Sequence, residues 1–465
     1  MKRALIGTLL LVTTAWLAAA PQNQGGGRQG GAAAPRPRSI TLGDLTAFEV
    51  KDNIVTISAG QDQVRVIYYR DDIFRIWLGP DGTFTEAQPN AADAQIVLAP
   101  FNALKGVAVK TRDAGEYYRV DSGTSVLRVY KRPLRFALFD KANATVIWQE
   151  TKPITYGPST IQTLKRGDNE NFFGGGMTNG YFSHRDTVVP VRLNTRGWND
   201  GSTPNPAPFY MSTAGYGVLR NTMAPGSYDF HAPLALSEDE SRFDAYYFVG
   251  AHAANPLKQI LDDYTLVTGR PFMMPRWGLG FGDADCYNKT GKTIDVVERV
   301  AKKYRENDMP GQWILPNDGY GCGYTDLPGT ITELKKLGFL GGLWTENGLA
   351  KIATEVKDMG SRAMKLDVAW VGRGYQFALN GMRDAYEGLE KNADSRGFVW
   401  TTCAWAGGQR YSVIWSGDQS GNWEYIRFHI PTVIGAGLSG YNASTGDVDG
   451  IFGGSAQTQV RDLQW

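Results

Sequence analysis

A repeated pattern in the second half of the chain most constrains its fold. Short apolar runs are each followed by a carboxylate that lies near an aromatic residue. The runs and their endings are 277–281 into Asp283 and Asp285, 313–315 into Asp318, 340–343 into Trp344 and Glu346, 363–366 into Asp367 and Trp370, 411–414 into Trp415 and Asp418, and a final Asp447-Val448-Asp449. An apolar strand, a polar tip and a helix, repeated, is typical of the (β/α)8 TIM barrel, whose active-site face is built at the carboxyl ends of its strands.

Carboxylates framed by Trp and Tyr rings on one face favour a sugar pocket, because rings stack on pyranoses and carboxylates bind hydroxyls or cleave glycosidic bonds. An apolar content of 42% with 12% aromatic residues supports large packed cores. The formal net charge of +1 carries no signature of nucleic acid or of an acidic membrane. The chain also lacks a phosphate-binding Gly motif and Cys/His zinc spacing. We therefore expect no nucleic-acid partner, no metal and no cofactor.

The first 38 residues contain two segments that are not expected to belong to a folded domain. Residues 1–20 combine two basic residues, an apolar run and three alanines, which predicts a signal peptide. A membrane anchor is the weaker alternative, because the run is short for a bilayer span. Residues 21–38 are of low complexity and predict a disordered linker. We therefore expect a periplasmic or secreted protein with no membrane contact after signal cleavage.

Residues 39–252 are predicted to form an N-terminal antiparallel β-sandwich. Short alternating runs without a helical period support this fold, and they lie at 55–57, 64–69, 73–78, 126–130, 134–139, 188–193 and 243–249. Residues 172–177 and 194–199 are expected to be loops. Residues 253–275 contain the first helical pattern and predict a linking helix.

Residues 276–465 are predicted to form the catalytic barrel. Helical patterns follow the apolar runs at 293–307, 327–337, 348–359, 377–392 and 423–435. Six or seven strands can be counted before Trp465, and no eighth is found. A complete barrel needs at least one more βα unit, so we expect a barrel that is incomplete at its C-terminus.

The three cysteines leave at least one thiol unpaired. Cys286 and Cys322 follow the first two predicted barrel strands, and the sequence leaves open whether they pair. Cys403 ends a β run and is predicted to be a small core residue.

Three motifs, in order, resemble glycoside hydrolase family 31. They are residues 173–177 (FGGGM), the linker over 261–281, and Trp415-Ser416-Gly417-Asp418-Gln419, which is similar to the family's Trp-x-Gly-Asp-Asn acid/base motif. The similarity runs from about Glu170 to the C-terminus. It implies a retaining enzyme that acts on α-glucosidic or α-xylosidic bonds.

The region of the nucleophile departs from the family's usual Trp-x-Asp-Met-Asn-Glu. Residues 365–370 (KLDVAW) are instead similar to a branch that contains bacterial dextranases and the isomaltosyl- or glucosyltransferases of cyclic alternans. Residues 315–324, 343–349 and 447–454 resemble the same branch. The resemblance implies an α-glucan oligosaccharide or polysaccharide substrate with α-1,6 or mixed α-1,6/α-1,3 bonds. A late His of the family's barrel would lie beyond Trp465.

The resemblance also implies that Asp367 is the nucleophile and Asp418 the general acid/base. A helix cap and a turn residue are their simpler alternatives. The nucleophile has to be ionised, so we expect hydrogen-bond donors around Asp367, with Arg410 as the best candidate. The acid has to hold a proton, so we expect a raised pKa for Asp418, caused by Asp367 and Trp415. The two carboxyl groups should lie about 5–5.5 Å apart.

A further set of residues is predicted to bind substrate: Asp318, Trp344, Trp370, Arg410, Trp415 and Asp449. Asp318 is expected to bind the hydroxyls of the non-reducing glucose, and its alternative is a turn residue before Gly319. Core packing is the alternative for Trp344 and Trp370. Asp283, Asp285, Glu346 and Asp447 are candidates of second rank. The Asp-x-Asp pairs could instead hold Ca²⁺, but their spacing alone is weak evidence.

The leading hypothesis is therefore an exported retaining glycosidase or transglycosylase. Hydrolysis and transglycosylation share one active site, so the sequence leaves both open. An α-xylosidase is the alternative among enzymes. A carbohydrate-binding protein without turnover is the alternative from another class, and the presence of both Asp367 and Asp418 argues against it.

Overall fold

The structure is a computed structural model that describes residues 38–284, 292–346, 348–448 and 451–464. The predicted signal peptide and all but the last residue of the predicted linker lie outside these ranges. Within them, no helix combines the length and the apolar character needed to span a bilayer.

Antiparallel sheets make up the N-terminal part. Their strands are β1 (Ile40–Thr41), β2 (Ala47–Lys51), β3 (Ile54–Ala59), β4 (Asp62–Tyr68), β5 (Ile73–Gly79), β6 (Lys110–Asp113), β7 (Tyr117–Asp121), β8 (Ser125–Lys131), β9 (Leu134–Asp140), β10 (Val146–Gln149), β11 (Thr155–Tyr156), β12 (Thr160–Leu164), β13 (Phe172–Met177), β14 (Val188–Val191), β15 (Asn205–Ser212), β16 (Tyr216–Arg220), β17 (Gly226–Asp229), β18 (Leu234–Glu238) and β19 (Asp244–Val249). A short helix, α1 (Ala99–Asn102), interrupts them.

These strands form three sandwich-like sheets, and most of their buried apolar side chains belong to one core cluster. The orders are β1-β11-β12-β18-β17-β14, β10-β9-β8-β7-β6 and β13-β15-β16-β19-β5-β4-β3-β2. In β3 and β4, buried side chains alternate with partly exposed ones, as expected for strands that cover a core with one face. The predicted alternating runs are thus confirmed as strands.

One predicted loop is wrong. Residues 172–177 form β13, which pairs with β15 and carries an irregularity between Gly174 and Gly176. Both glycines have positive φ, and a Cβ on Gly176 would lie 2.0 Å from the carbonyl oxygen of Asn205. The glycines thus allow a bulged strand to approach its neighbour closely, whereas the sequence suggested a break.

The helix predicted after the sheets is α2 (Pro256–Thr268), and it contacts both parts of the fold. The side chain of Asn255 caps its first turn by accepting from the amide of Lys258 at 3.2 Å. Tyr264 stacks on Phe209 of β15, with ring centroids 3.8 Å apart. At its other end, Gln409 donates to the hydroxyl of Thr268 at 2.8 Å.

The C-terminal part is a parallel half-barrel. Its strands pair in chain order and are β20 (Gly282–Ala284), β21 (Trp313–Leu315), β22 (Leu340–Thr345), β23 (Ala363–Leu366), β24 (Val399–Thr401), β25 (Val413–Trp415) and β26 (Ser444–Thr445). Helical segments between or after them are Val297–Ala301, α3 (Lys302–Glu306), α4 (Leu327–Lys336), α5 (Ile352–Lys357), α6 (Tyr375–Asn392), α7 (Trp423–Gly437) and α8 (Ala456–Gln464).

The first predicted barrel strand is misplaced. Residues 276–279 form a single helical turn, and β20 begins only at Gly282. A Cβ on Gly282 would lie 2.0 Å from the Trp313 ring, so this strand packs closely against its neighbour. The apolar residues before it pack elsewhere: Trp277 lies edge-on against Phe398, with ring centroids 5.2 Å apart.

Candidate active site

Asp367 lies directly after β23 and accepts hydrogen bonds from three neighbouring strand ends. The indole nitrogen of Trp344 donates at 3.2 Å, the amide of Val368 at 2.7 Å and the hydroxyl of Thr402 at 3.3 Å. These donors come from the ends of β22, β23 and β24, which parallel pairing brings together. Hydrogen bonds of this kind stabilise an ionised carboxylate.

Asp418 lies after β25, in the turn that follows Trp415. Burial raises the pKa of its carboxyl, and the negative charge of Asp367 raises it further, while the ammonium of Lys365 opposes both effects. The predicted raised pKa of Asp418 and its coupling to Asp367 therefore have the expected direction, with burial as the larger cause. The two carboxyl groups have different surroundings: Asp367 accepts three hydrogen bonds, and burial raises the pKa of Asp418.

Lys365 is a cation that interacts electrostatically with both of these groups. Its ammonium lies 2.8 Å from Oδ1 and 2.9 Å from Oδ2 of Asp318, with only 5% of the lysine side chain and 10% of the aspartate side chain exposed. The same ammonium lies over the rings of Trp400 and Trp415, at 4.6 and 4.2 Å from their centroids. Asp318 therefore forms a mostly buried ion pair at the site. A residue that only forms a turn before Gly319 would need no such pair.

Asp447, a candidate of second rank, is half-buried and interacts electrostatically with Lys365. Burial raises the pKa of its carboxyl to about 7, with Lys365 opposing the shift and the negative Asp418 and Asp318 adding to it. Burial alone would lower the pKa of Lys365, but Asp318, Asp447 and Asp367 raise it. One cation thus balances several carboxyl groups.

Replacing Lys365 with Met is expected to destabilise the fold by about 3–5 kcal/mol, because the ion pair between Lys365 and the mostly buried carboxylate of Asp318 would be broken. Urea unfolding followed by circular dichroism measures this loss. Lys302→Met is the matched control, since its ion pair with Glu298 is exposed and contributes little. Similar midpoint shifts in the two variants would contradict a special role for the Lys365 charge.

The structure brings some of the predicted binding residues to the site. Trp344 donates to Asp367 and lies edge-on against Tyr320, with ring centroids 4.9 Å apart. The Trp415 ring also reaches the site, but only 1% of the residue is exposed, so it contacts Lys365 and presents no open face to a sugar. Asp449 lies outside the described residues, as does Asp285.

Arg410 is placed elsewhere, which corrects the prediction that it is the main donor to Asp367. It precedes β25, at the opposite end of the strand from Asp418. Its guanidinium donates to the carbonyl oxygens of Gly407 and Gln95. The prediction went wrong because a polar residue before a strand was treated like one after it, and only strand carboxyl ends face the site.

Trp370 also departs from its prediction as a wall of the sugar pocket. Only 2% of the residue is exposed, its ring stacks on Phe377 at 5.1 Å between centroids, and its indole donates to the carbonyl oxygen of Thr345. A Cβ on Gly381 of α6 would lie 2.3 Å from this ring. Core packing, the alternative, thus describes Trp370.

Two residues at the site were missed by the sequence analysis. Thr402 donates to Asp367, and its place just after β24 could have revealed it, because the other site residues also follow strands. Tyr320 is largely exposed beside Trp344, and Asp367 and Asp418 are among the charges that raise the pKa of its phenol after burial. Tyr320 lies in the loop 316–324. The motif of this loop was recognised in the sequence, but its tyrosine was not predicted to be a site residue.

The structure also describes candidate metal-ligating groups and two of the three cysteines. In the parts of the chain that the structure describes, no group of three or more His, Cys, Asp or Glu side chains could hold a metal ion. Cys403 is free and buried, as predicted for a core residue. Cys322 is disulfide-bonded, and Cys286 lies outside the described residues.

A parallel half-barrel with two unlike carboxyl groups at its strand ends is an arrangement that glycosyl hydrolases use. Two family models match the chain: the N-terminal galactose mutarotase-like domain of glycosyl hydrolase family 31 over residues 63–229, and the TIM-barrel domain of the same family over residues 375–464. The chain belongs to glycoside hydrolase family 31.

Individual relatives are similar to this chain at low sequence identity. Alpha-glucosidase 2 of Bacillus thermoamyloliquefaciens is 21% identical over 89% of this chain and 63% of its own length. An alpha-xylosidase of Saccharolobus solfataricus is 24% identical over 56% of this chain and 45% of its own length. A family 31 dextranase of Flavobacterium johnsoniae, solved with glucose and, as a mutant, with isomaltotriose, is 18% identical in the glucose complex. That complex superposes with a TM-score of 0.76 over 91% of this chain and 64% of the dextranase chain. The chain thus spans less than two thirds of the length of these relatives.

Proposed function

We propose that this protein acts on α-glucosidic bonds of α-glucans by double displacement, with retention at the anomeric carbon. One observation carries the proposal: Asp367, which accepts three hydrogen bonds, is electrostatically coupled to Asp418, whose pKa is raised by burial and by Asp367. Two carboxyl groups in unlike surroundings, one rich in hydrogen-bond donors and one with a raised pKa, suit the nucleophile and the general acid of this chemistry.

The two steps follow from the positions of these groups. A carboxylate oxygen of Asp367 attacks the anomeric carbon while Asp418 protonates the departing glycosidic oxygen, which breaks the glycosidic bond and forms a glycosyl ester. Asp418, now a carboxylate, then takes a proton from water or a sugar hydroxyl, and that oxygen displaces Asp367. Two inversions give net retention. The separation of about 5–5.5 Å between the two carboxyl groups stays a prediction.

The proposed substrate has α-1,6 or mixed α-1,6/α-1,3 bonds. The branch-like residues 315–324, 343–349 and 365–370 support it, together with the likeness to a dextranase. An α-xylosidase is the second candidate, supported by the relative from Saccharolobus solfataricus. Hydrolysis and transglycosylation differ in which acceptor resolves the ester, and both fit this site.

Comparing substrates on one enzyme preparation tests the proposal. Isomaltooligosaccharides, dextran, nigerose and cyclic alternan are expected to be turned over faster than maltose or α-xylosides, and NMR should show the α-anomer first. A preference for maltose or α-xylosides would contradict the linkage assignment. A β-anomer as first product would contradict retention. Binding of these sugars without turnover would contradict an enzymatic role.

Architecture and export complete the proposal. We infer one β-sandwich domain over residues 39–252, a linking helix within 253–275 and an incomplete (β/α)8 barrel from residue 276. The signal pattern in residues 1–20 supports a periplasmic or secreted protein. The disulfide at Cys322 is compatible with such an oxidising compartment.

A further inference from the structure

Two asparagines of the N-terminal sheets reach the turn that carries Asp418. Asn205, the first residue of β15, is fully buried and donates from Nδ2 to the carbonyl oxygen of Trp415 at 2.8 Å. Its Oδ1 accepts from the amide of Ala404 at 3.1 Å. One side chain therefore joins the loop after β24 to the end of β25.

Asn179, which follows β13, makes the second contact. It is also fully buried, and its Nδ2 lies 3.1 Å from the carbonyl oxygen of Ser416 and 3.1 Å from that of Trp198. Trp198 itself covers Gly417, because a Cβ there would lie 1.9 Å from the indole ring. The residues on the amino side of Asp418 are thus held by the N-terminal sheets, at Trp415, Ser416 and Gly417.

The chemistry of these contacts calls for an amide. Asn205 faces a carbonyl on one side and an N–H on the other, so only a side chain with both a donor and an acceptor satisfies both buried groups. The contacts span more than 200 positions in sequence, since Asn205 and Trp415 are 210 residues apart and Asn179 and Ser416 are 237 apart. A packing role alone would be served by an apolar side chain.

We propose that Asn205 and Asn179 are positioning residues that fix the general acid/base Asp418 through the backbone carbonyls of Trp415 and Ser416. This inference rests on the proposed role of Asp418 and extends it to the N-terminal domain. Without these bonds the turn from Trp415 to Asp418 moves, and a displacement of about 1 Å at a catalytic group costs on the order of 10²-fold in rate. The loss falls on protonation of the leaving group, which is the step that Asp418 performs.

Leaving-group dependence separates positioning from a general structural role. Asn205→Ala and Asn179→Ala are each compared with the wild-type enzyme on an activated aryl α-glucoside and on an isomaltooligosaccharide. We expect kcat/KM to fall on the order of 10²-fold for the oligosaccharide and only severalfold for the aryl glycoside. Asn53→Ala is the control, because Asn53 also donates to a carbonyl oxygen, that of Tyr68 at 3.0 Å, within the antiparallel sheets. It should leave the ratio of the two substrates unchanged.

A double-mutant cycle with Asp418→Ala supplies the second measurement. If the asparagines act through Asp418, neither substitution lowers aryl-glycoside turnover further once Asp418 is absent. Equal losses on both substrates, or multiplied losses in the Asp418→Ala background, would overturn the inference while leaving the role of Asp418 intact. If Asp418→Ala alone lowers both substrates equally, the acid/base assignment fails and the positioning role falls with it. Should Asn205→Ala not fold, Asn179→Ala carries the same test.

Discussion

Asp367→Ala is expected to lower kcat by about 10⁴-fold or more, because it removes the carboxylate that is proposed to form the glycosyl ester. Azide should restore turnover of an activated aryl α-glucoside, since a small anion can occupy the space left by the carboxylate. It attacks from that side, so the product should be a β-glycosyl azide, inverted relative to the substrate. Product analysis by NMR measures both the rescue and the anomer.

A matched control separates this role from helix capping, the simpler alternative for Asp367. Asp326 caps α4 by accepting from the amide of Gly329 at 3.1 Å. Asp326→Ala should cost about 1 kcal/mol of stability and leave kcat unchanged. Near-normal turnover of Asp367→Ala without azide would refute its assignment as the nucleophile.

The positions of the main site residues could be predicted because they depend on local pattern. Asp367 and Asp418 each follow a short apolar run, and parallel pairing places all such strand ends on one edge. The same rule covers Thr402, which was overlooked because its side chain is not ionisable. Local sequence pattern does not determine whether an aromatic ring near a strand end points to the site or into the core. Trp344 and Trp370 were therefore both predicted to line the sugar pocket. The packing of α6 decides between them: Gly381 leaves room for the Trp370 ring in the core.

Contacts between segments that are distant in the chain could not be predicted from the sequence. Nothing near Asn205 or Asn179 indicates that their amides meet the loop of Asp418, because the pairing of β13 with β15 and the seating of α2 bring the two parts together. The glycines of β13 illustrate the same limit. Their positive φ values suit a loop, and only the approach of β15 explains why they occur inside a strand. The charge balance around Lys365 could not be predicted either, because its carboxylate neighbours come together only when the strands pair.

Asp418→Ala is expected to lower kcat/KM for isomaltooligosaccharides by about 10²–10⁴-fold, with a far smaller loss for aryl glycosides whose leaving groups need no proton. Azide should again raise turnover, but here it replaces water in the second step. Because Asp367 still forms the ester, the product should be the α-glycosyl azide, with retained configuration. The two variants therefore give opposite anomers from one substrate, which assigns the two roles independently of the size of either rate loss.

The pH profile tests the same group by another route. A general acid works only while it is protonated. Wild-type activity on oligosaccharides should therefore persist while the pH is below the pKa of Asp418, which is raised, and should fall once the pH exceeds it. This alkaline limb should be absent in Asp418→Ala. In Lys365→Met it should lie at higher pH, because Lys365 lowers the pKa of Asp418. An alkaline limb that persists in Asp418→Ala, or equal losses on both substrate classes, would show that Asp418 does not donate the proton. Asp447, whose pKa is raised to about 7 mainly by burial, would then be the next carboxyl group to test as the proton donor.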